Sequence, residues 1–338
     1  MKRAMTISND DDDDRIIVQS QCHCQQIALD ISLPKDPNDD QTNSNAKVWN
    51  CHCTTCRKYH LAAYTSYLQV PKSQISIRRG VDKIGTCSSS CQATMALDAE
   101  DKVERWYCTD CSSKLMSIAS ENDNEEDDGH DDCLVNLGPI DEDTIPPCYS
   151  KRWKEQLKQK ENNLCSENSC RWTDVIPNYK TSQESTGATK WTGGCACGAS
   201  RYEIAVTRPA QLQHCYCHLC RELSGGPFMT WIPVHKCDFA WKKQSSSVTD
   251  DAIVRLVRTT PFGSRHICSR CRGVLTIVYD SQPGLVWPCA GGIDDVSLPN
   301  SSEEMGTFLK RVCHICCRHV PPWLHLPDDG MERIADAC

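Results

Sequence analysis

The sequence predicts a mainly β chain built from two tandem copies of one cysteine-stapled unit. Three observations predict it. A pattern of seven cysteines occurs twice in the same order, the segments after the central cysteines align without a gap, and bulky residues recur there at two-residue intervals. The order is a C-x-C pair, a C-x-C-x-x-C triad and a C-x-x-C pair. Copy one has Cys22/Cys24, Cys51/Cys53/Cys56 and Cys108/Cys111; copy two has Cys195/Cys197, Cys215/Cys217/Cys220 and Cys268/Cys271.

After each triad the copies run in register. Cys56-Arg57-Lys58 falls on Cys220-Arg221-Glu222, Tyr64 on Phe228, Tyr67 on Trp231, Val70 on Val234, Ile75 on Phe239 and Ile77 on Trp241. That alternation describes half-buried strands. Beyond the last cysteine pair, Gly138-Pro139-Ile140-Asp141-Glu142 sits opposite Gly291-Gly292-Ile293-Asp294-Asp295.

Taken in order, residues 1–15 carry an aspartate run and read as a disordered acidic tail. Copy one spans 16–149 and opens with strand-like Ile16-Ile17-Val18 and Ile27-Ala28-Leu29-Asp30-Ile31. A polar insertion between Ser32 and Lys47 reads as a surface loop, and the acidic run from Glu121 to Asp132 as a solvated hairpin tip. Residues 150–188 read as a linker with a short helix near Trp153-Lys154-Glu155-Gln156-Leu157. Copy two spans 189–326, and 327–338 form a tail, with Cys313-His314-Ile315-Cys316-Cys317 and Pro321-Pro322-Trp323 packing on copy two.

With 338 residues the chain is long enough for two domains, each burying its own core. Its net charge of −8 argues against nucleic acid and anionic membrane surfaces as partners. The N-terminus lacks the apolar core of a signal peptide, and no run approaches a membrane span. The chain is therefore expected in the cytoplasm or nucleus, where most of its 26 cysteines hold metal or stay free rather than form disulfides.

The outer pairs suit a closed tetrahedral zinc site: Cys22, Cys24, Cys108 and Cys111 in copy one, and Cys195, Cys197, Cys268 and Cys271 in copy two. Each triad supplies only three thiolates. A zinc with three protein ligands keeps a fourth position for substrate, and one ringed by thiolates suits holding a thiol as a nucleophilic thiolate. A distant side chain could instead fill that corner: His60, Cys87 or Cys91 in copy one, Cys237, Cys289 or a histidine in copy two. His52 and His218, wedged between ligands, read as neighbours rather than ligands. Arg255, Arg258, Arg265, Arg270 and Arg272 read as a solvated strand face, with an anion-binding wall as the alternative.

The pattern resembles the glutathione-dependent formaldehyde-activating enzyme / centromere protein V family, whose members have an Mss4-like β fold. Copy two carries Gly193-Gly194-Cys195-Ala196-Cys197-Gly198, the triad followed by Arg221, Ser224-Gly225-Gly226, Cys268 to Gly273 and the Gly291 to Asp295 turn. Copy one keeps the cysteines and Arg57 but has Gln25 at a family glycine and His60-Leu61-Ala62 at the small turn. The resemblance implies two zinc ions per copy, four per chain. It also implies carbon–sulfur lyase-type chemistry on glutathione–formaldehyde adducts in copy two, with Cys215, Cys217 and Cys220 holding the catalytic zinc. The competing expectation is a non-enzymatic zinc scaffold that binds a protein partner.

Overall fold

The computed structural model describes residues 14–37, 46–90, 102–119, 132–170, 172, 189–242, 253–300 and 302–336. The acidic tail up to residue 13, residues 120–131 of the acidic hairpin tip, most of the polar insertion, Cys91 and the connector at 173–188 lie outside the described residues.

Strands dominate, and the two copies share one plan. A three-stranded antiparallel sheet opens each: Arg15–Gln21, Ala28–Pro34 and Ile75–Arg79 in copy one, Thr189–Gly194, Arg201–Val206 and Phe239–Trp241 in copy two. Copy one follows with a seven-stranded sheet in the order Asn163–Leu164, Lys47–Cys51, Thr65–Pro71, Asp132–Asn136, Lys114–Ala119, Lys102–Cys108, Ile84–Ser90. In copy two the matching surface is divided into a four-stranded and a five-stranded sheet. The division falls between Met229–Trp231 and Val234–His235, where Pro233 has no backbone N–H to continue the ladder.

Each triad occupies a strand-to-helix corner. Cys51 ends the strand Lys47–Cys51 and Cys53 caps helix α1 (Thr54–His60), accepting the Cys56 amide on its sulfur at 3.3 Å. Helix α2 (Pro147–Lys158) is amphipathic, with Tyr149, Trp153 and Leu157 buried, and it packs beside the strand Lys47–Cys51. The stretch read as a linker thus starts inside this helix and continues into the strand Asn163–Leu164 of the first sheet. In copy two, Cys215 ends the strand Ala210–Cys215 and Cys217 caps helix α3 (His218–Ser224). The caps match closely: Cys53 has φ −60°, ψ 148° and Cys217 has φ −60°, ψ 150°.

The copies do not keep separate cores. One contiguous apolar cluster runs from Val18 to Leu324 through both, and a small second cluster surrounds the first triad. The join is reciprocal. Arg57 on α1 pairs with Asp295 in the copy-two turn, while Arg221 on α3 pairs with Glu142 in the copy-one turn at 2.5 Å. The turns need glycine at the seam: a Cβ on Gly138 would lie 2.3 Å from the Arg221 carbonyl oxygen, and one on Gly291 would lie 2.4 Å from the Ala62 nitrogen. At the centre, the His60 Nδ1 meets the Ser224 carbonyl, one helix C-terminus against the other.

Candidate metal centres

The two outer four-cysteine groups assemble as the spacing predicts. In copy one the Cys22 and Cys24 sulfurs are 3.5 Å apart and Cys24 is 3.6 Å from Cys108; in copy two Cys195–Cys197 is 3.4 Å and Cys197–Cys268 is 3.7 Å. A tetrahedron with Zn–S bonds near 2.3 Å has S···S edges of about 3.8 Å, so these sulfurs are spaced for one ion. The turns that hold them repeat in detail. The Ile27 and Ser200 amides donate to Cys22 and Cys195 at 3.2 and 3.4 Å. The Ser112 and Arg272 amides close the second turns on the Cys108 and Cys268 carbonyls. Thiols this close resist common ionisation without a cation. Cys22 is pushed up by its hydrogen bond with Cys108, and Cys108 is pushed up to about 12 by Cys111, which is itself driven down.

The triads also converge. Within each of the four groups the sulfurs lie within 4.8 Å of one another and could hold a metal ion. They differ in access. Cys51, Cys53 and Cys56 are fully buried, whereas Cys217 of the second triad is only half-buried beside buried Cys215 and Cys220. Hydrogen bonds from Cys215 and Cys217 hold the Cys220 thiol low, with a smaller contribution from the charge of Arg265.

That arginine corrects the reading of the basic stretch. Arg265 is 3% exposed and lies over the Trp231 ring at 5.9 Å, so it belongs to the site and not to a solvated face. Its counterpart, Arg105, is fully buried and reaches the Cys56 sulfur at 3.5 Å and the Tyr67 hydroxyl at 3.2 Å. Arg258 does sit outside, paired with Asp280.

Among the described residues, the side chains named as alternatives for the fourth corner point elsewhere. The ring nitrogens of His60 meet the Ser224 carbonyl and the Tyr67 hydroxyl, and burial lowers its pKa to about 3. Cys87 faces the Tyr59 hydroxyl, Cys289 donates to the Leu61 carbonyl, and Cys237 is exposed. His214 bonds with Thr230 at 2.8 Å, and His314 lies between Tyr216 and Asp329. His52 contacts Ser169 at 3.1 Å and His218 contacts Arg221 at 2.9 Å, both beside the triads.

A different cysteine lies nearby: the Cys316 sulfur is 3.8 Å from Cys215. It is disulfide-bonded, an exception to the expectation that the cysteines hold metal or stay out of disulfides. Sequence reasoning missed Cys316 and its copy-one counterpart Cys165. The available signal was a repeated C-x6-W, Cys165 to Trp172 and Cys316 to Trp323, with both tryptophans buried.

With seven cysteines in each copy gathered into one pair site and one triad, the comparisons with known proteins bear directly on identity. The family model described as glutathione-dependent formaldehyde-activating enzyme matches residues 17–159 and 190–317. The chain belongs to this family. A protein of Halomonas elongata, provisionally named a glutathione-dependent formaldehyde-activating enzyme, is 29% identical over 143 residues, 42% of this chain and 83% of its own length. A crystal structure of a Rhodobacter sphaeroides protein aligns over 38% of this chain and 91% of that one, at 13% identity and a TM-score of 0.23. For a formaldehyde-activating family member, the second triad has the more open setting. Among the described residues, no helix is long and apolar enough to cross a membrane.

Proposed function

We propose that the chain performs glutathione-dependent formaldehyde activation at the triad of copy two, with zinc held by Cys215, Cys217 and Cys220. One contrast carries the choice of copy: Cys217 is half-buried, while all three sulfurs of the copy-one triad are sealed. A visiting thiol needs an open side of the cage. The all-thiol donor set and the 3.5 Å Cys215–Cys217 spacing fit zinc. Bound there, zinc would keep an incoming thiol as a nucleophilic thiolate at neutral pH.

The chain's own residues do the rest. Helix α3 and the strand before it fix the three sulfurs, and Arg265 sets a positive charge beside the negative charge they gather. In the reaction a bond forms between the glutathione sulfur and the formaldehyde carbon, and the carbonyl oxygen takes up the proton the thiol gives up. The product is S-hydroxymethylglutathione, and the reverse direction is a carbon–sulfur lyase reaction. The remaining three sites in this reading are structural zinc sites, two per copy in all.

NMR exchange between glutathione, formaldehyde and their adduct tests this. The native chain should exceed the spontaneous exchange rate, Cys217→Ser should return it to that rate, and Cys148→Ser, at an exposed cysteine outside the four groups, should keep the acceleration. A native rate equal to the spontaneous one would leave the alternative, a zinc-stabilised scaffold for a protein partner.

A further inference from the structure

Beyond each copy's last cysteine pair, the chain returns to the triad along a short parallel strand. In copy one Leu164 pairs with Cys51, and in copy two Ile315 pairs with Cys215. The carbonyls of these two residues accept the next amide of the triad loop, His52 at 3.0 Å and Tyr216 at 3.2 Å. The residue that follows is a cysteine in both, and both have left-handed backbone, φ 55° at Cys165 and φ 57° at Cys316. Each then caps a 3-10 turn, its carbonyl accepting from Asn168 at 2.9 Å or His319 at 3.0 Å, and a buried tryptophan follows seven residues on. The duplication therefore extends past the seven cysteines to an eighth.

The position of that eighth sulfur is informative. Cys316 lies 3.8 Å from Cys215, matching the edge of about 3.8 Å expected for a thiolate tetrahedron around zinc. Cys165 packs with Leu164 against Cys51, Cys53 and Cys56 in the small apolar cluster around the first triad, with its sulfur outside the 4.8 Å grouping the three triad sulfurs form, so ligation requires its side chain to turn inward. A fourth thiolate adds negative charge, and the buried Arg105 guanidinium is placed to offset it, 3.5 Å from Cys56.

We propose that Cys165 is the fourth ligand of a closed Cys51/Cys53/Cys56/Cys165 metal site, and that reduced Cys316 takes the same corner at Cys215, Cys217 and Cys220. Only a thiolate binds metal, so the Cys316 disulfide must first be opened. A water-soluble phosphine does this with one water, giving two thiols and the phosphine oxide, and Cys316 then loses its proton to solvent. If copy two handles glutathione as proposed above, Cys316 competes with the glutathione sulfur for one corner, so the redox state of Cys316 governs access to it.

Zinc X-ray absorption on the phosphine-reduced full chain reads the mean sulfur count per ion. Four closed sites give about four, whereas open triads filled by water give about three and a half. Cys165→Ser should lower the native count, and Cys148→Ser, which alters an exposed free thiol, should leave it unchanged. A native count of about three and a half, or no change in Cys165→Ser, would overturn the proposal. If Cys165→Ser does not fold, the native count alone decides. The glutathione exchange assay is a separate readout, and its failure would leave this coordination result standing.

Discussion

Arg57, one residue after the first triad, is clamped to Asp295 at the end of the second copy's turn, with Nη1 3.2 Å from Oδ1. The guanidinium is 3% exposed and the carboxylate 36%. Burial works against the arginine's charge, but Cys170 and Asp295 more than offset it and hold the charge in place. The same relation recurs in reverse between Arg221 and Glu142. A charge beside each metal corner is thus neutralised by the opposite copy, so the metal centres and the seam between copies form one structural unit.

Removing one partner should leave a buried charge uncompensated. Arg57→Ala is expected to destabilise by roughly 2–3 kcal/mol, at or below the foot of the roughly 3–5 kcal/mol range for fully buried pairs because Asp295 is partly solvated. A double-mutant cycle with Asp295→Ala, followed by urea unfolding, should show positive coupling. Strict additivity would mean the pair does no work in the fold.

The seam glycines make a steric prediction. Gly138→Ala and Gly291→Ala each push a Cβ to within 2.4 Å of the other copy's backbone. Each should cost about 1–3 kcal/mol through forced separation of the copies. Limited proteolysis should show earlier cleavage between the copies in both variants. Unchanged cleavage would argue that the seam yields at little cost.

Backbone strain can be exchanged between the copies. Gln25 has φ 59° and is exposed, while its counterpart Gly198 has φ 72° with open space where a Cβ would stand. Gln25→Gly should stabilise copy one by about 1 kcal/mol, and Gly198→Gln should destabilise copy two by about the same. Differential scanning calorimetry of the two variants would check the opposite signs.

Acid sensitivity follows from two buried imidazoles. Burial lowers His60 and His214 to about 3, and His314 adds to the effect at His214. Both are neutral in the fold, whereas an unfolded histidine takes up a proton below about 6.5. Their stabilisation is therefore full above that pH and is lost as pH falls toward 3, by about 2 kcal/mol per histidine at pH 5. His214→Gln should flatten the pH dependence of the urea midpoint between pH 6.5 and 5 at equal zinc content. An unchanged slope would contradict the assignment.

Much of this could be read from the sequence because metal sites fix spacing. Cys195/Cys197 and Cys268/Cys271 name their own site by pairing close residues across a long gap, and the gapless stretch from Cys56 to Ile77 carries the strands with it. The partnership of Arg57 with Asp295 leaves no such periodic trace, since it depends on how two finished units pack. Arg265 misled for a related reason. Its charge suggested solvent, but the strand Gly263–Cys268 turns it inward beside a thiolate cage, where charge is useful. Cys165 and Cys316 went unread because the loops before them differ in length between the copies, which hides their equivalence until the parallel strands bring each beside its triad.

The central claim is that fourteen cysteines far apart in the chain gather into four metal cages, and zinc content tests it most directly. Elemental analysis of natively purified chain should give about four zinc ions per molecule, and chelation should abolish the cooperative melting transition, because binding and folding are coupled. About two ions per chain, or a melting curve that survives complete zinc removal, would contradict it.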